Sequence, residues 1–174
     1  MPTLAHVVKK QIAVLLFGLA LFAAPGAQAL EPVQGEVVLT VSGEITQTNA
    51  DAGAAFDIEM LERLGTVTFD TSTIWTEGVQ TFTGVQLADL LEAVGASGAR
   101  LRAAAINDYA VEIPADDAVT GGPIVAFLRN GDTMSVRDKG PLWIVYPYDR
   151  SADYRSELVY SRSIWQLDRI EVLP

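Results

Sequence analysis

The chain has 174 residues, with 22 acidic side chains against 12 basic ones, a formal charge of −10 and no cysteine. That charge repels phosphate backbones and anionic lipid, which excludes nucleic acid as a partner. With no thiol, and with His6 as the only imidazole, thiolate metal sites and Cys–His pairs are excluded as well.

In chain order, Lys9 and Lys10 precede an apolar run, Ile12–Ala24, which Pro25-Gly26 breaks ahead of Ala27-Gln28-Ala29. These are the three parts of a secretory signal. The apolar run is shorter than the roughly 20 residues that a membrane-spanning helix needs. The expectation is a signal peptide over 1–29, a single domain over 30–174, and a periplasmic or secreted location without membrane attachment. Cleavage also removes His6, so the working domain has no Ser-His-Asp triad to offer.

Residues 30–36 read as a solvated lead-in. Val37–Val41 is a strand by its β-branched content, ended by Ser42-Gly43. Asn49–Ala55 reads as a small polar linker, and Asp57 as the N-cap of a helix with Met60, Leu61 and Leu64 on one face, stopped by Gly65. Thr66–Trp75 is extended, Glu77-Gly78 turns, and Val79–Phe82 is a strand. Val85–Val94 has the clearest helical spacing, in Leu87, Leu90, Leu91 and Val94, with Gly95 at its C-terminal cap. Strands follow at Leu101–Ile106, Ala110–Ile113 and Ile124–Arg129. Asn130-Gly131 marks a hairpin, Leu142–Tyr146 is the most core-like strand, and Trp165–Leu173 is the last. Many short strands with two helices predict an α+β domain built on a mixed β-sheet.

Four groups of residues are candidates for function. Arg137-Asp138-Lys139-Gly140-Pro141 places two cations at a turn before a buried strand, which suits the mouth of a pocket for a small anionic ligand. Asn107-Asp108-Tyr109 suits a turn between strands. Among the aromatic residues, Trp143 and Trp165 sit in core-like strands, whereas Trp75 lies in a polar stretch and is expected to expose its ring to a ligand. The polar segment Tyr148–Tyr160 reads as a mobile surface loop, able to act as a lid or to contact a periplasmic protein partner. The carboxylates show no metal-binding spacing, so no metal site is expected.

The order of motifs resembles the oxidoreductase molybdopterin-binding domain, the fold of sulfite oxidase. The matching pieces are Phe82-Thr-Gly84 with Leu87, Leu90, Leu91 and Gly95, then Asn107-Asp108-Tyr109 with Pro114, then Pro123–Gly131, then Lys139-Gly140-Pro141-Leu142-Trp143 with Pro147, and last Ile164–Val172. The resemblance implies a sulfite-oxidase-like sheet domain with a molybdopterin cofactor. With the candidates above, the expected cofactor-binding positions are Trp75, Asn107, Tyr109, Arg137, Lys139 and Arg162. The family's catalytic members hold molybdenum through a cysteine in the region equivalent to Thr68–Thr73, where this chain has no thiol. Trp143 stands where the family commonly has an arginine, and Ile164 where a lysine often precedes the tryptophan. The expectation is therefore a non-catalytic module that binds a small ligand or a partner. Two alternatives remain: a molybdopterin-dependent oxidoreductase with Asp70, Thr71 or Ser72 as metal ligand, and an accessory or sensor-partner domain.

Overall fold

The computed structural model describes residues 30–174, so the signal-peptide expectation lies outside the described residues. Ten strands join in a mixed sheet: β1 (Leu39–Gly43), β2 (Ala54–Phe56), β3 (Thr66–Ser72), β4 (Val79–Gln86), β5 (Arg100–Ala105), β6 (Ala110–Pro114), β7 (Ile124–Arg129), β8 (Asp132–Thr133), β9 (Leu142–Val145) and β10 (Ile164–Leu173). Three short helices accompany them, α1 (Ile58–Arg63), α2 (Leu87–Ala93) and α3 (Glu157–Ser161). The strand order is β2-β1-β10-β9-β7-β4-β3, with β5 on β10, β6 on β5 and β8 on β7.

β10 is the spine. Its first residues pair with β9, its later ones run parallel to β1, and β5 follows its opposite edge. Ile164, Leu167, Ile170 and Val172 of this strand are buried. Strict alternation would not bury both Ile164 and Leu167. A bulge at Gln166, whose φ is +54°, shifts the register against β9 and allows it.

Local chemistry explains several elements. Asp57 caps α1 by accepting from the Met60 amide at 2.8 Å, and its other oxygen accepts from the amides of Gln34 and Gly35 at 3.1 and 2.8 Å. These bonds tie the lead-in to the first helix and hold the carboxyl below its ordinary pKa. Asn130 (φ +55°) and Gly131 (φ +87°) form the expected β7–β8 turn.

Three expectations are corrected. The supposed linker contains β2, whose Ala54, Ala55 and Phe56 are buried against β1; the Asn49 side chain clamps both backbone groups of Ala55. The expected helix start at Val85 belongs to β4, because Val85 pairs with both Thr66 and Val125. At Gly84 a side-chain carbon would come within 2.2 Å of the Val125 carbonyl, so only glycine lets β4 approach β7. Finally, Tyr148–Tyr160 is not a bare loop. It folds into two 3-10 turns (148–150 and 152–154) and α3, and Tyr148 is buried. Ser151 and Ser156 accept from backbone amides two and three residues on, which organises the segment.

Candidate functional site

A cavity of about 400 Å³ opens beside the start of β10. One wall is the bulge. The Gln166 amide donates to the Lys139 carbonyl at 3.0 Å, its side-chain amide donates to the Val136 carbonyl at 2.7 Å, and its own carbonyl accepts from Ile106 at 3.0 Å. One residue thus joins β10, the charged loop and the β5–β6 turn. That turn is closed by Ala105 and Tyr109, whose backbones bond at 2.8 Å, with Asp108 left-handed at φ +66°. The turn brings Asn107 and Tyr109 to the cavity, and Tyr109 keeps 60% of its surface exposed.

The opposite wall is the stretch after β3, together with α3. Trp75 is held by a bond from its amide to the Thr73 hydroxyl at 3.1 Å. Its ring meets those of Trp143, Tyr148, Tyr160 and Trp165 edge to face at 5.6–6.2 Å. The expected exposed ring is therefore half-buried. It packs at the centre of an aromatic cluster that backs the cavity, and Trp75, Tyr160 and Trp165 form part of the wall. Ser163 also lines it, hydrogen-bonded to the Tyr148 hydroxyl. Burial pushes the Tyr148 pKa up to about 12, so this hydroxyl stays protonated at neutral pH and does not serve as a base.

Of the six expected cofactor-binding positions, Trp75, Asn107 and Tyr109 line the cavity. Lys139 lies just outside the wall, with its ammonium 4.4 Å from the Trp165 ring centroid and 5.8 Å from that of Trp143. Arg137 is exposed in the 3-10 turn 136–138. Arg162 turns away to Asp117, with N–O distances of 3.0 and 2.8 Å, and the Tyr146 hydroxyl donates to the same carboxylate at 2.7 Å. Burial and this carboxylate together push the Tyr146 pKa far above its ordinary value. Arg169 is likewise committed, to Asp108 and Asp168. Ser163 and Gln166 were not singled out from the sequence, and Tyr160 was read only as part of a surface segment. The bulge that presents Gln166 has no local motif.

Among the described residues, no charged side chain lines the cavity. The chemistry offered by its walls is aromatic contact and neutral hydrogen bonding, with no acid–base pair. A larger depression of about 720 Å³ lies between α1 and α2, but its lining includes one aromatic ring, Phe56, and none of the expected site residues.

No protein-family model matches the chain, and no curated protein matches it. Among solved structures, the sulfane dehydrogenase SoxCD from Paracoccus pantotrophus matches with a TM-score of 0.57 at 17% identity. The two share a fold. The match covers 83% of this chain and 40% of the other, so this chain spans less than half of that protein's matched chain. The likeness is one of fold alone, and it agrees with the mixed-sheet α+β domain expected from the motifs.

The residues present do not fit molybdenum held as the resemblance implies. The stretch where the resemblance implies the thiolate, Thr68–Thr73, falls mostly on β3, and the side chains of Asp70, Thr71 and Ser72 are already engaged. Asp70 accepts from the Thr81 hydroxyl at 2.6 Å. The fully buried Thr71 hydroxyl accepts from the Asp149 amide at 3.1 Å. Ser72 donates its amide and hydroxyl to the Asp149 carboxylate at 2.5 and 2.8 Å. The Ser72 bonds hold the Asp149 pKa below its ordinary value. Oxygen donors locked in this way make a poor substitute for a soft thiolate.

Proposed function

We propose that this chain is an exported binding module, one that keeps the shape of a molybdopterin oxidoreductase and holds a small ligand in its aromatic cleft without metal chemistry. One observation carries the reading: the cleft walls combine four aromatic residues, Trp75, Tyr109, Tyr160 and Trp165, with neutral amides and hydroxyls and no charged group. Such walls bind through buried apolar area and orient a ligand through a few hydrogen bonds. They supply neither a nucleophile with its base nor a metal-ligand set. The export part rests on residues 1–29, and the absence of a metal role rests on the donors of β3.

The competing reading is an oxidoreductase with an oxygen ligand to molybdenum. It would require Asp70, Thr71 or Ser72 to leave the partners just described. Mass spectrometry of small molecules released on denaturing protein purified from its native source separates the two. A stoichiometric organic molecule without a pterin dithiolene supports the binding module, whereas a stoichiometric molybdenum-pterin overturns it.

A further inference from the structure

We propose that the free edge of β3 pairs with β3 of a second copy of this chain, antiparallel and centred on Thr68, to give a two-fold dimer with a continuous sheet. The proposal stands apart from the cleft. β3 ends the strand order and is bonded to β4 on one side only. Two contacts fix which of its backbone groups face outward. Ser72 sends its amide out of the sheet, to the Asp149 carboxylate. Opposite Asp70, Thr81 spends both backbone groups on Asn130, on the far side of β4. Backbone direction alternates along a strand, so Thr66, Thr68 and Asp70 also point their N–H and C=O groups away from β4. Among the described residues these groups have no partner, and all three residues are exposed.

An open edge is a template for another strand unless it is short, charged or interrupted. Other edges of the sheet meet one of these conditions: β2 has three residues, β8 has two, and β6 carries Glu112 and ends at Pro114. β3 has seven residues, pairs without a bulge, and contains neither proline nor lysine. Its pattern is also self-complementary. With Thr68 at the axis, Thr66 faces Asp70 of the partner subunit and Val67 faces Phe69 of the partner subunit. The strand's one charge is thus set against a hydroxyl. All three outward residues are satisfied, by about six hydrogen bonds at two per bonded pair. Other centres fit less well. One on Asp70 opposes two carboxylates. One on Phe69 calls on the Ser72 amide, already held by Asp149. One on Val67 sets Asp70 against Leu64, at the end of α1. A single strand pair buries less than the roughly 1,200 Å² of a standard interface, so the dimer is a weak one.

The test is analytical ultracentrifugation of the protein purified from its native source, over a concentration series. Dimer is expected to reach half-population on the order of 100 μM. Residue 68 faces itself, so Thr68→Lys and Thr68→Glu, made in the same host, should each raise that midpoint at least about tenfold by like-charge repulsion, and an equimolar mixture should restore the dimer. The chain has no cysteine, so Thr68→Cys supplies one thiol per chain. A bonded antiparallel pair holds its Cα atoms about 5.5 Å apart, within disulfide reach. Mild oxidation should therefore link Thr68→Cys chains far faster than Glu112→Cys chains, whose thiol lies on the β6 edge. A monomer at about 1 mM overturns the proposal, being at least tenfold above the expected midpoint. So does a dimer unchanged by Thr68→Lys, or a Lys and Glu mixture that stays monomeric while both variants keep the wild-type circular dichroism. If either variant fails to fold, the cross-link decides: equal rates at the two cysteine positions overturn the pairing. A different polypeptide bound to a chain that is monomeric alone overturns the second copy as occupant of the edge.

Discussion

Arg162 provides a sharp test of how the site is built, because its position suggests ligand binding while its contacts suggest a structural role. Its guanidinium and the Asp117 carboxylate are 2.8 Å apart, with side chains only 18% and 19% exposed, and the buried Tyr146 hydroxyl bonds the same carboxylate. Asp117→Ala would leave a largely buried cation and a buried hydroxyl without their partner. Breaking such a pair costs about 3–5 kcal/mol, and the remaining exposure places this one near 3 kcal/mol. Arg162→Met should cost less, because the carboxylate keeps the Tyr146 bond. The double variant Asp117→Ala/Arg162→Met should cost at least about 1 kcal/mol less than the sum of the single changes. Urea unfolding followed by tryptophan fluorescence reads these values, with an unchanged slope expected for each variant. Single variants costing under about 0.5 kcal/mol, with no coupling between them, would refute the structural role. If Arg162→Met also lost ligand while remaining stable, Arg162 would belong to the binding machinery after all.

Other predictions follow from the same contacts. The Asp57 carboxyl is held low by backbone amides. Its stabilising contribution should therefore be complete above the unfolded value near 3.8 and fade as pH falls through the lower folded value. An acid titration of stability should be flatter for Asp57→Asn over that window, and an identical acid limb would count against the cap. Gly84→Ala should cost at least about 3 kcal/mol or prevent folding, because its new carbon meets the Val125 carbonyl; a soluble variant of wild-type Tm would contradict the close β4–β7 approach. Ser72→Ala removes one of the bonds to Asp149 and should speed hydrogen exchange over 72–76 and 148–150 ahead of the rest of the sheet. Uniform exchange across the domain would show that this link does not anchor the Trp75 wall.

Much of the fold could be read from local chemistry. Asp57 ahead of Met60 and Leu61 announces a capped helix, and Asn130-Gly131 announces a hairpin, because each effect acts within a few residues. The errors arise where long-range packing decides. Val85 continues the apolar spacing of α2, yet pairing on both sides keeps it in β4. Ala54–Phe56 is too short and too small-chained to read as a strand before β1 covers it. The polar residues of Tyr148–Tyr160 suggest a surface loop, but Tyr148 is drawn inward by Trp75, Tyr160 and Ser163.

The candidate site was legible only in part for the same reason. Trp75, Asn107 and Tyr109 were visible as unusual residues in turns, but their convergence depends on the bulge at Gln166. Arg137 and Lys139 drew notice as cations in an acidic chain. Lys139 is placed against tryptophan rings outside the cleft wall, an arrangement that no spacing in the sequence encodes.

The proposed function turns on whether the chain holds a molybdenum-pterin or an aromatic cleft alone. Metal analysis of protein matured in a host competent to make the molybdenum cofactor tests this directly. A binding module without metal chemistry gives molybdenum far below stoichiometry. One molybdenum atom per chain, retained through purification, would contradict it.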